Sequence, residues 1–202
     1  SSCEEEYENA YHGCLDSQAC NYNPEATIDN NSCEYAIEGL DCDGNITEYV
    51  VGIEAEGGIV FYIDETGEHG LVAASEDLGE YQWGCYGTEI SGADGTAIGT
   101  GYQNTLDIVA GCSESSAASE ALAYESGGYS DWYLPSKDEL VEMYITIGQG
   151  SENGNIGGFS NNVYWSSSEG NDSNAWFVNF NNGFTYSNDK YNTFRVRVIR
   201  AF

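Results

Sequence analysis

The cysteines are spread unevenly along this chain, and their distribution constrains its fold more than any other feature. Five of the seven lie before residue 43, in a segment rich in Asn, Asp and Glu. A segment this short buries too little apolar surface to fold on a core alone, so it needs disulfides or a metal ion as staples. The sequence therefore predicts a small Cys-rich module over residues 1–48 and a second domain over residues 49–202.

Disulfides in an oxidising compartment are favoured over zinc in the first module. No Cys-x-x-Cys pair occurs, and His12 stands alone beside the cysteines, whereas zinc sites combine Cys and His at close spacing. Because five is an odd number, one cysteine must pair elsewhere or stay free, and Cys3 is the candidate for a link to an assembly partner. Cys85 and Cys112 are the only cysteines after residue 42, which predicts that they pair with each other.

Residues 13–27 read Gly-Cys-Leu-Asp-Ser-Gln-Ala-Cys-Asn-Tyr-Asn-Pro-Glu-Ala-Thr, and residues 29–33 read Asp-Asn-Asn-Ser-Cys. This segment resembles a short Cys-rich repeat of large secreted proteins of marine bacteria and some of their phages. The usual repeat has Asp-Asp-Gly-Ser-Cys before its last cysteine. The resemblance implies an extracellular spacer, with Cys14 paired to Cys33 and Cys20 paired to Cys42.

Residues 41–45 offer one candidate metal site. Asp41, Asp43 and Asn45 alternate around a Gly-containing turn, and their oxygen atoms are ligands that calcium prefers. An EF-hand loop would need Glu at its twelfth position, which is Gly52 when counted from Asp41. A polar turn in an acidic protein is the favoured interpretation, and calcium as a cofactor is the alternative.

The charge balance excludes several classes of partner. The chain has 34 acidic residues and 5 bases, a net charge of −29, and no base precedes Lys137. Nucleic acids and anionic lipid surfaces are bound through Lys and Arg, so we expect neither as a partner. The longest apolar runs, such as residues 59–63, are too short for membrane insertion. No initiator Met or leader opens the sequence, so we expect a mature or trimmed fragment.

Residues 49–202 alternate between strand-like and helix-like patterns, which predicts an α+β domain. Runs of β-branched and aromatic residues predict strands at 59–63, 71–74, 163–167, 175–180 and 194–199, the first two as a hairpin. Helical composition predicts helices at 104–112, 116–124 and 137–147. The last is the strongest prediction, because Ser136 and Glu139 fit a capping box and apolar residues recur at helical spacing from Leu140 to Ile147.

The C-terminal part of the chain has the composition of a binding surface. Eleven asparagines lie between Asn153 and Asn192, interspersed with Ser, Gly, Tyr and Phe. Asn and Gly favour exposed turns, and exposed aromatic rings among small polar residues are typical of antibody paratopes. The alternative is a surface loop system with incidental aromatic residues. The predicted ligand-binding residues are Asn171, Asp172, Asn174, Phe177, Asn179, Phe184, Tyr186, Asn188, Tyr191 and Phe194.

Several motifs of the second domain carry a family resemblance. They are Gly-Gly-Ile-Val-Phe-Tyr at 57–62, Gly-Tyr-Ser-Asp-Trp-Tyr-Leu-Pro-Ser-Lys-Asp-Glu-Leu at 128–140, Tyr-Trp-Ser-Ser-Ser-Glu at 164–169, Ala-Trp at 175–176, Asn-Asn-Gly at 181–183 and Arg-Val-Arg-Val-Ile-Arg at 195–200. In order and spacing they are similar to the family named for the C-terminal domain of a bacterial collagen-like adhesin. The resemblance implies a C-type-lectin-like fold close to that of the formylglycine-generating enzymes, with irregular Gly/Asn-rich loops. It also implies a secreted or surface domain that binds a ligand, often a glycan, and is sometimes trimeric.

The same region resembles the variable regions written by diversity-generating retroelements. Those regions keep a frame like residues 165–169, 175–176, Lys190 and 195–197, and vary positions that began as Asn codons. The predicted ligand-binding residues, with Thr185 and Thr193, are all types reachable from an Asn codon by changes at its adenines. Because the permitted set is broad and ordinary family members share the frame, diversification is left open.

The arginines near the C-terminus are expected to form structural ion pairs. Arg195 and Arg197 alternate with valines, so a strand would place both guanidiniums on one face, where carboxylates such as Glu169 or Asp131 could pair with them. From residue 163 onward four bases face three acids, which gives no clear positive surface for an anionic ligand. A neutral glycan or a protein on another cell or particle is therefore the expected ligand.

No residue pattern indicates catalysis. Nothing marks Cys85 or Cys112 as a reactive thiolate, and neither His12 nor His69 accompanies a nucleophile motif. We therefore expect a non-catalytic adhesin-like or lectin-like domain, extracellular or, alternatively, on a virion surface. The alternative function is a structural subunit of a surface filament, fibre or virion that uses the same face for assembly.

Overall fold

The structure is a computed structural model that describes residues 10–202. The chain divides into two compact units between Glu48 and Tyr49. Cys3 lies outside the described residues, and its link to an assembly partner stays a prediction. No helix in residues 10–202 is long and apolar enough to cross a bilayer.

Disulfides hold the N-terminal unit together. Its strands, β1 (His12–Gly13) and β2 (Ile28–Asp29), pair in parallel over two residues only. Cys14 is bonded to Cys33 and Cys20 to Cys42, the two pairs that the repeat implies. The bridges span 19 and 22 residues, and closing a loop of that length stabilises a fold by about 3 kcal/mol in the chain-entropy model.

The Asp41 segment forms a polar turn. The Asp41 carboxylate accepts hydrogen bonds from the backbone N–H groups of Asp43 at 2.9 Å and Asn45 at 2.8 Å, and from the Asn45 side-chain amide at 2.9 Å. These donors lower the pKa of Asp41. They bond to the same carboxylate oxygen atoms that would coordinate a calcium ion. Within residues 10–202, no group of three or more His, Cys, Asp or Glu side chains could hold a metal ion.

Residues 49–202, all of which the structure describes, form an α+β unit with three helices, as the sequence predicts, and their strands form two sheets. The strands are β3 (Glu54–Ala55), β4 (Gly58–Ile63), β5 (Gly70–Ala73), β6 (Gly79–Gln82), β7 (Val163–Glu169), β8 (Asn174–Asn179), β9 (Thr185–Asp189), β10 (Thr193–Val196) and β11 (Ile199–Ala201). The helices are α1 (Gly101–Gly111), α2 (Ala117–Leu122) and α3 (Lys137–Thr146). One sheet has the order β11-β5-β4-β3 and the other β6-β10-β7-β8-β9, so β9 lies at an edge.

The capping box of α3 is confirmed. The Ser136 hydroxyl accepts from the Glu139 backbone N–H, and the Glu139 carboxylate accepts from the Ser136 backbone N–H at 2.6 Å. Leu140, Met143 and Ile147 are fully buried, so the apolar stripe read from the sequence is the face that packs on the core. The hairpin prediction is also confirmed, since β4 and β5 pair antiparallel.

The single strand predicted over residues 194–199 is wrong. β10 pairs with β6 and β7 in one sheet, and β11 pairs with β5 in the other. Between them, Arg197 is buried and its Nη1 atom donates to the carbonyl oxygens of Ala74 at 2.9 Å and Gly157 at 2.8 Å. The chain crosses from one sheet to the other at this point, and the Arg197 guanidinium finds its acceptors outside both ladders.

Candidate ligand-binding face

The predicted ligand-binding residues lie on or beside β8, β9 and β10 of the five-stranded sheet. β8 and β9 are direct neighbours, and Phe177 on β8 lies opposite Tyr186 on β9. β10 lies on the far side of β7, so Phe194 approaches from the other direction. The turn between β9 and β10 carries Tyr191.

A row of aromatic side chains crosses this sheet from its interior to its edge; we call Trp165, Phe194, Phe177, Tyr186 and Phe184 the aromatic row. Trp165 stacks on Phe194 with ring centroids 4.2 Å apart, and Phe194 is 5.1 Å from Phe177. Phe177 is 5.9 Å from Tyr186, which is 6.3 Å from Phe184. The spacings suit favourable ring contacts, so the row is one packed unit.

Exposure along the aromatic row is greatest at its β9 end, and Phe194 is partly buried. Trp165 is completely buried and its indole N–H donates to the Tyr81 carbonyl oxygen at 3.1 Å. Phe177 is 8% exposed, whereas Tyr186 is 50% and Phe184 59% exposed. Phe177 therefore supports the row from below, and the rings that face water are those of the edge strand.

The asparagine side chains shape the turns that carry these rings. Asn171 Oδ1 accepts from the backbone N–H groups of Ser173 and Asn174, both at 2.9 Å. Asn179 Oδ1 accepts in the same way from Asn181 at 2.9 Å. Such side-chain turns are why Asn is frequent in tight loops. Contact between these asparagines and a ligand stays a prediction.

A second aromatic feature includes a residue that the sequence analysis did not select. Tyr86 and Tyr191, here called the tyrosine pair, have ring centroids 5.0 Å apart and planes inclined by 68°. They are 53% and 50% exposed. No local signal marks Tyr86, because it lies in a Gly-rich loop far from Tyr191 in sequence. The one sequence signal for this loop is the Cys85–Cys112 disulfide, which was predicted by counting cysteines. The structure contains this bond, and it holds the loop in place.

A buried ion pair lies next to the tyrosine pair. Lys190 is fully buried, and its ammonium donates to a carboxylate oxygen of Glu169 and, at 2.8 Å, to the Thr88 carbonyl oxygen. The same ammonium lies 4.7 Å from the centroid of the Trp83 ring. Glu169 also accepts from the Ile90 backbone N–H at 2.9 Å. The pair joins β7 and the end of β9 to the loop that carries Tyr86.

The expected partners of Arg195 and Arg197 were wrong, although both arginines do form ion pairs. Arg195 Nη1 lies 3.0 Å and Arg197 Nη2 lies 2.7 Å from the Asp77 carboxylate. The reason is the pairing of β10 with β6, which brings the segment just before β6 against the arginines. Glu169 is occupied by Lys190.

Asp131 pairs with Arg200 instead, at 2.8 Å. Hence the acids that neutralise the three arginines all come from outside residues 163–202. Among the described residues, no salt bridge joins Asp172 or Asp189 to a base, and Asp172 is exposed. Asp172 and Asp189, the acids on the two segments that carry or contact the tyrosine pair, therefore keep their negative charges without a salt bridge.

Comparison with known proteins gives a family and a fold. The profile of the Lcl C-terminal domain family matches residues 77–200, which is more than half of the chain. A fimbrial protein from Bacteroides ovatus has a similar structure, with 18% sequence identity and a TM-score of 0.51. The similarity covers 85% of this chain and 49% of the fimbrial chain, so this chain spans about half of that protein's length. No curated protein gave a significant match.

Proposed function

The chain belongs to the Lcl C-terminal domain family, and on that basis we propose that it is a non-catalytic extracellular domain that binds a glycan or a protein. The binding surface is the exposed end of the aromatic row together with the loops beside it. The second unit is a C-type-lectin-like domain in this proposal, and the first is a spacer.

The exposure of Phe184 and Tyr186 carries the proposal. Phe184 is 59% exposed and Tyr186 is 50% exposed, yet both rings continue a packed row whose other end is buried. Rings held in this way lose little conformational entropy on binding, which is why aromatic residues dominate binding surfaces. An edge strand also leaves space beside it for a partner.

The cysteines and histidines support an extracellular, non-catalytic role. All six cysteines of the described residues are in disulfides, which persist in oxidising compartments. They are therefore not available as nucleophiles. His12 and His69 are exposed, and neither accompanies a nucleophile motif.

Glycan-array and cell-binding measurements with variants test the proposal. We expect Phe184→Ala and Tyr186→Ala to reduce binding about tenfold or more, in line with losses at aromatic hot spots. Tyr102→Ala is a matched control, because Tyr102 is 49% exposed but lies on α1. Equal losses in all three variants, or unchanged binding in the first two, would contradict the proposal.

Assembly into a filament or fibre is a second candidate function, favoured by the structural similarity to a fimbrial protein. In that case the exposed end of the aromatic row contacts a neighbouring subunit. Native mass spectrometry distinguishes the two candidates. Stable polymers that dissociate on Tyr186→Ala would favour assembly, and a monomer that keeps its ligand affinity would favour binding.

A further inference from the structure

We propose that the tyrosine pair and the Asp189 carboxylate form a subsite for a cationic side chain, Arg or Lys, of a protein partner. This inference rests on the proposed function, because it names the chemistry of a partner that binds the same sheet, with Phe184 just before the first residue of β9 and Asp189 at its last. It favours a protein over a neutral glycan as the ligand.

The first ring of the subsite is held by its neighbours in the chain. Tyr86 follows Cys85, which is bonded to Cys112 and has a φ of 50°. On its other side, the Gly87 backbone N–H donates to the Asp172 carbonyl oxygen at 2.8 Å. The disulfide and the hydrogen bond fix the loop on both sides of Tyr86, while 53% of the residue surface remains in water.

The second ring is held by the buried ion pair. Tyr191 follows Lys190, whose side chain is enclosed by Glu169, Thr88 and Trp83. The Asn192 backbone N–H donates to the Asp189 carbonyl oxygen at 2.9 Å and closes the turn. Both rings are therefore presented by rigid backbone, and a ligand would not have to order them.

The charges around the rings suit a cation. Asp189 is the last residue of β9, two positions before Tyr191, and its carboxylate raises the pKa of the Tyr191 hydroxyl, so a negative charge lies near the ring. Asp172 is a second acid, on the loop that contacts Gly87. The one base close by in sequence, Lys190, is buried and neutralised by Glu169. Of these three described residues, none carries an uncompensated positive charge that would repel a cation.

Aromatic faces and carboxylates attract cations by complementary means. The ring quadrupole draws a guanidinium or ammonium group to the face of the ring, and the carboxylate adds a directional charge contact. A net charge of −29 further raises the local concentration of cationic partners. A neutral sugar would use the rings and could donate hydrogen bonds to Asp189, but it would gain no charge–charge attraction from the carboxylate.

Titration with N-acetylarginine amide tests the subsite, monitored through the ring signals of labelled tyrosines in NMR spectra. We expect saturable shifts of Tyr86 and Tyr191. N-acetylcitrulline amide, which has nearly the same shape without the charge, should bind at least about fivefold more weakly, as the loss of a cation–π contact predicts. Tyr86→Leu and Tyr191→Leu should each remove saturation, with the remaining spectrum showing that the fold is kept.

Tyr35 supplies the internal control. Its ring is 58% exposed and its hydroxyl donates to Asp16 at 2.8 Å, but it has no aromatic partner among the described residues. Tyr35→Leu should leave the affinity unchanged. Equal binding of citrulline, or equal shifts of Tyr35, would overturn the subsite. If that occurred while Tyr186→Ala still abolished ligand binding, the proposed function would stand and only the cationic partner would be wrong.

Discussion

Arg197 Nη2 lies 2.7 Å from Asp77 Oδ1, and the same carboxylate also receives Arg195. The Arg197 side chain is 1% exposed, so its charge depends on this contact. We expect Asp77→Asn to lower the free energy of unfolding by about 3 kcal/mol or more, because the variant leaves a buried charge without compensation. Urea denaturation measures the loss.

Glu80→Gln is the control for that prediction. Glu80 is half exposed and approaches only Arg195, at 3.6 Å. Exposed pairs contribute little, so the change should stay below about 0.5 kcal/mol. Similar effects of the two substitutions would show that Arg197 does not depend on Asp77.

Lys190→Met should destabilise the domain by about 3 kcal/mol, because Glu169 would stay buried without its cation. Combining it with Glu169→Gln should restore part of the stability, since the second change removes the uncompensated charge. Lys137→Met is the matched control, because Lys137 pairs with Asp138 near the surface. Thermal unfolding of wild type, Lys190→Met, Glu169→Gln and the double variant measures the coupling, and purely additive losses would contradict it.

Replacing Cys85 and Cys112 by Ser should lower the free energy of unfolding by about 3.5 kcal/mol in the chain-entropy model for a 27-residue separation. The substitution should also weaken arginine binding, because the loop that carries Tyr86 loses its covalent anchor. Denaturation and the NMR titration are measured on the same sample. Unchanged affinity in a destabilised variant would show that hydrogen bonds alone position Tyr86.

Tyr164 should titrate well above an unperturbed tyrosine. Burial, and then the Asp77 charge, raise its pKa to about 12 from an ordinary value near 10. The unfolded chain therefore loses this proton at lower pH than the folded chain, so the contribution of Tyr164 to stability is complete below pH 10 and falls as the pH rises towards 12. Ultraviolet titration of wild type and Tyr164→Phe checks this, and an unchanged titration near pH 12 would contradict it.

Features set by local sequence could be predicted, and those set by distant contacts could not. The capping box of Ser136 and Glu139 lies within one helical turn, so the start of α3 follows from its own residues. At the break between β10 and β11, Arg197 donates to carbonyl groups of Ala74 and Gly157, which are distant in sequence and near it only in the folded chain. The pattern of apolar and charged residues within 194–199 does not reveal this break.

The candidate site also has parts that the local sequence predicts and parts that depend on distant contacts. Composition identified the exposed Phe184 and Tyr186, because Asn- and Gly-rich turns keep neighbouring rings near the surface. It did not distinguish Phe177, which lies on the same face but is covered by its neighbours. Tyr86 was missed, because a disulfide and a hydrogen bond to the distant Asp172 place it beside Tyr191.

The position of β9 at the sheet edge has an evolutionary consequence. Within the described residues β9 pairs only with β8, and its outermost rings do not reach the core. Substitutions at Phe184 or Tyr186 should therefore cost little folding stability. A substitution at Lys190, just after β9, should cost much more, because this side chain is fully buried. The outward side chains at this edge can therefore change independently of the buried contacts that fold the domain.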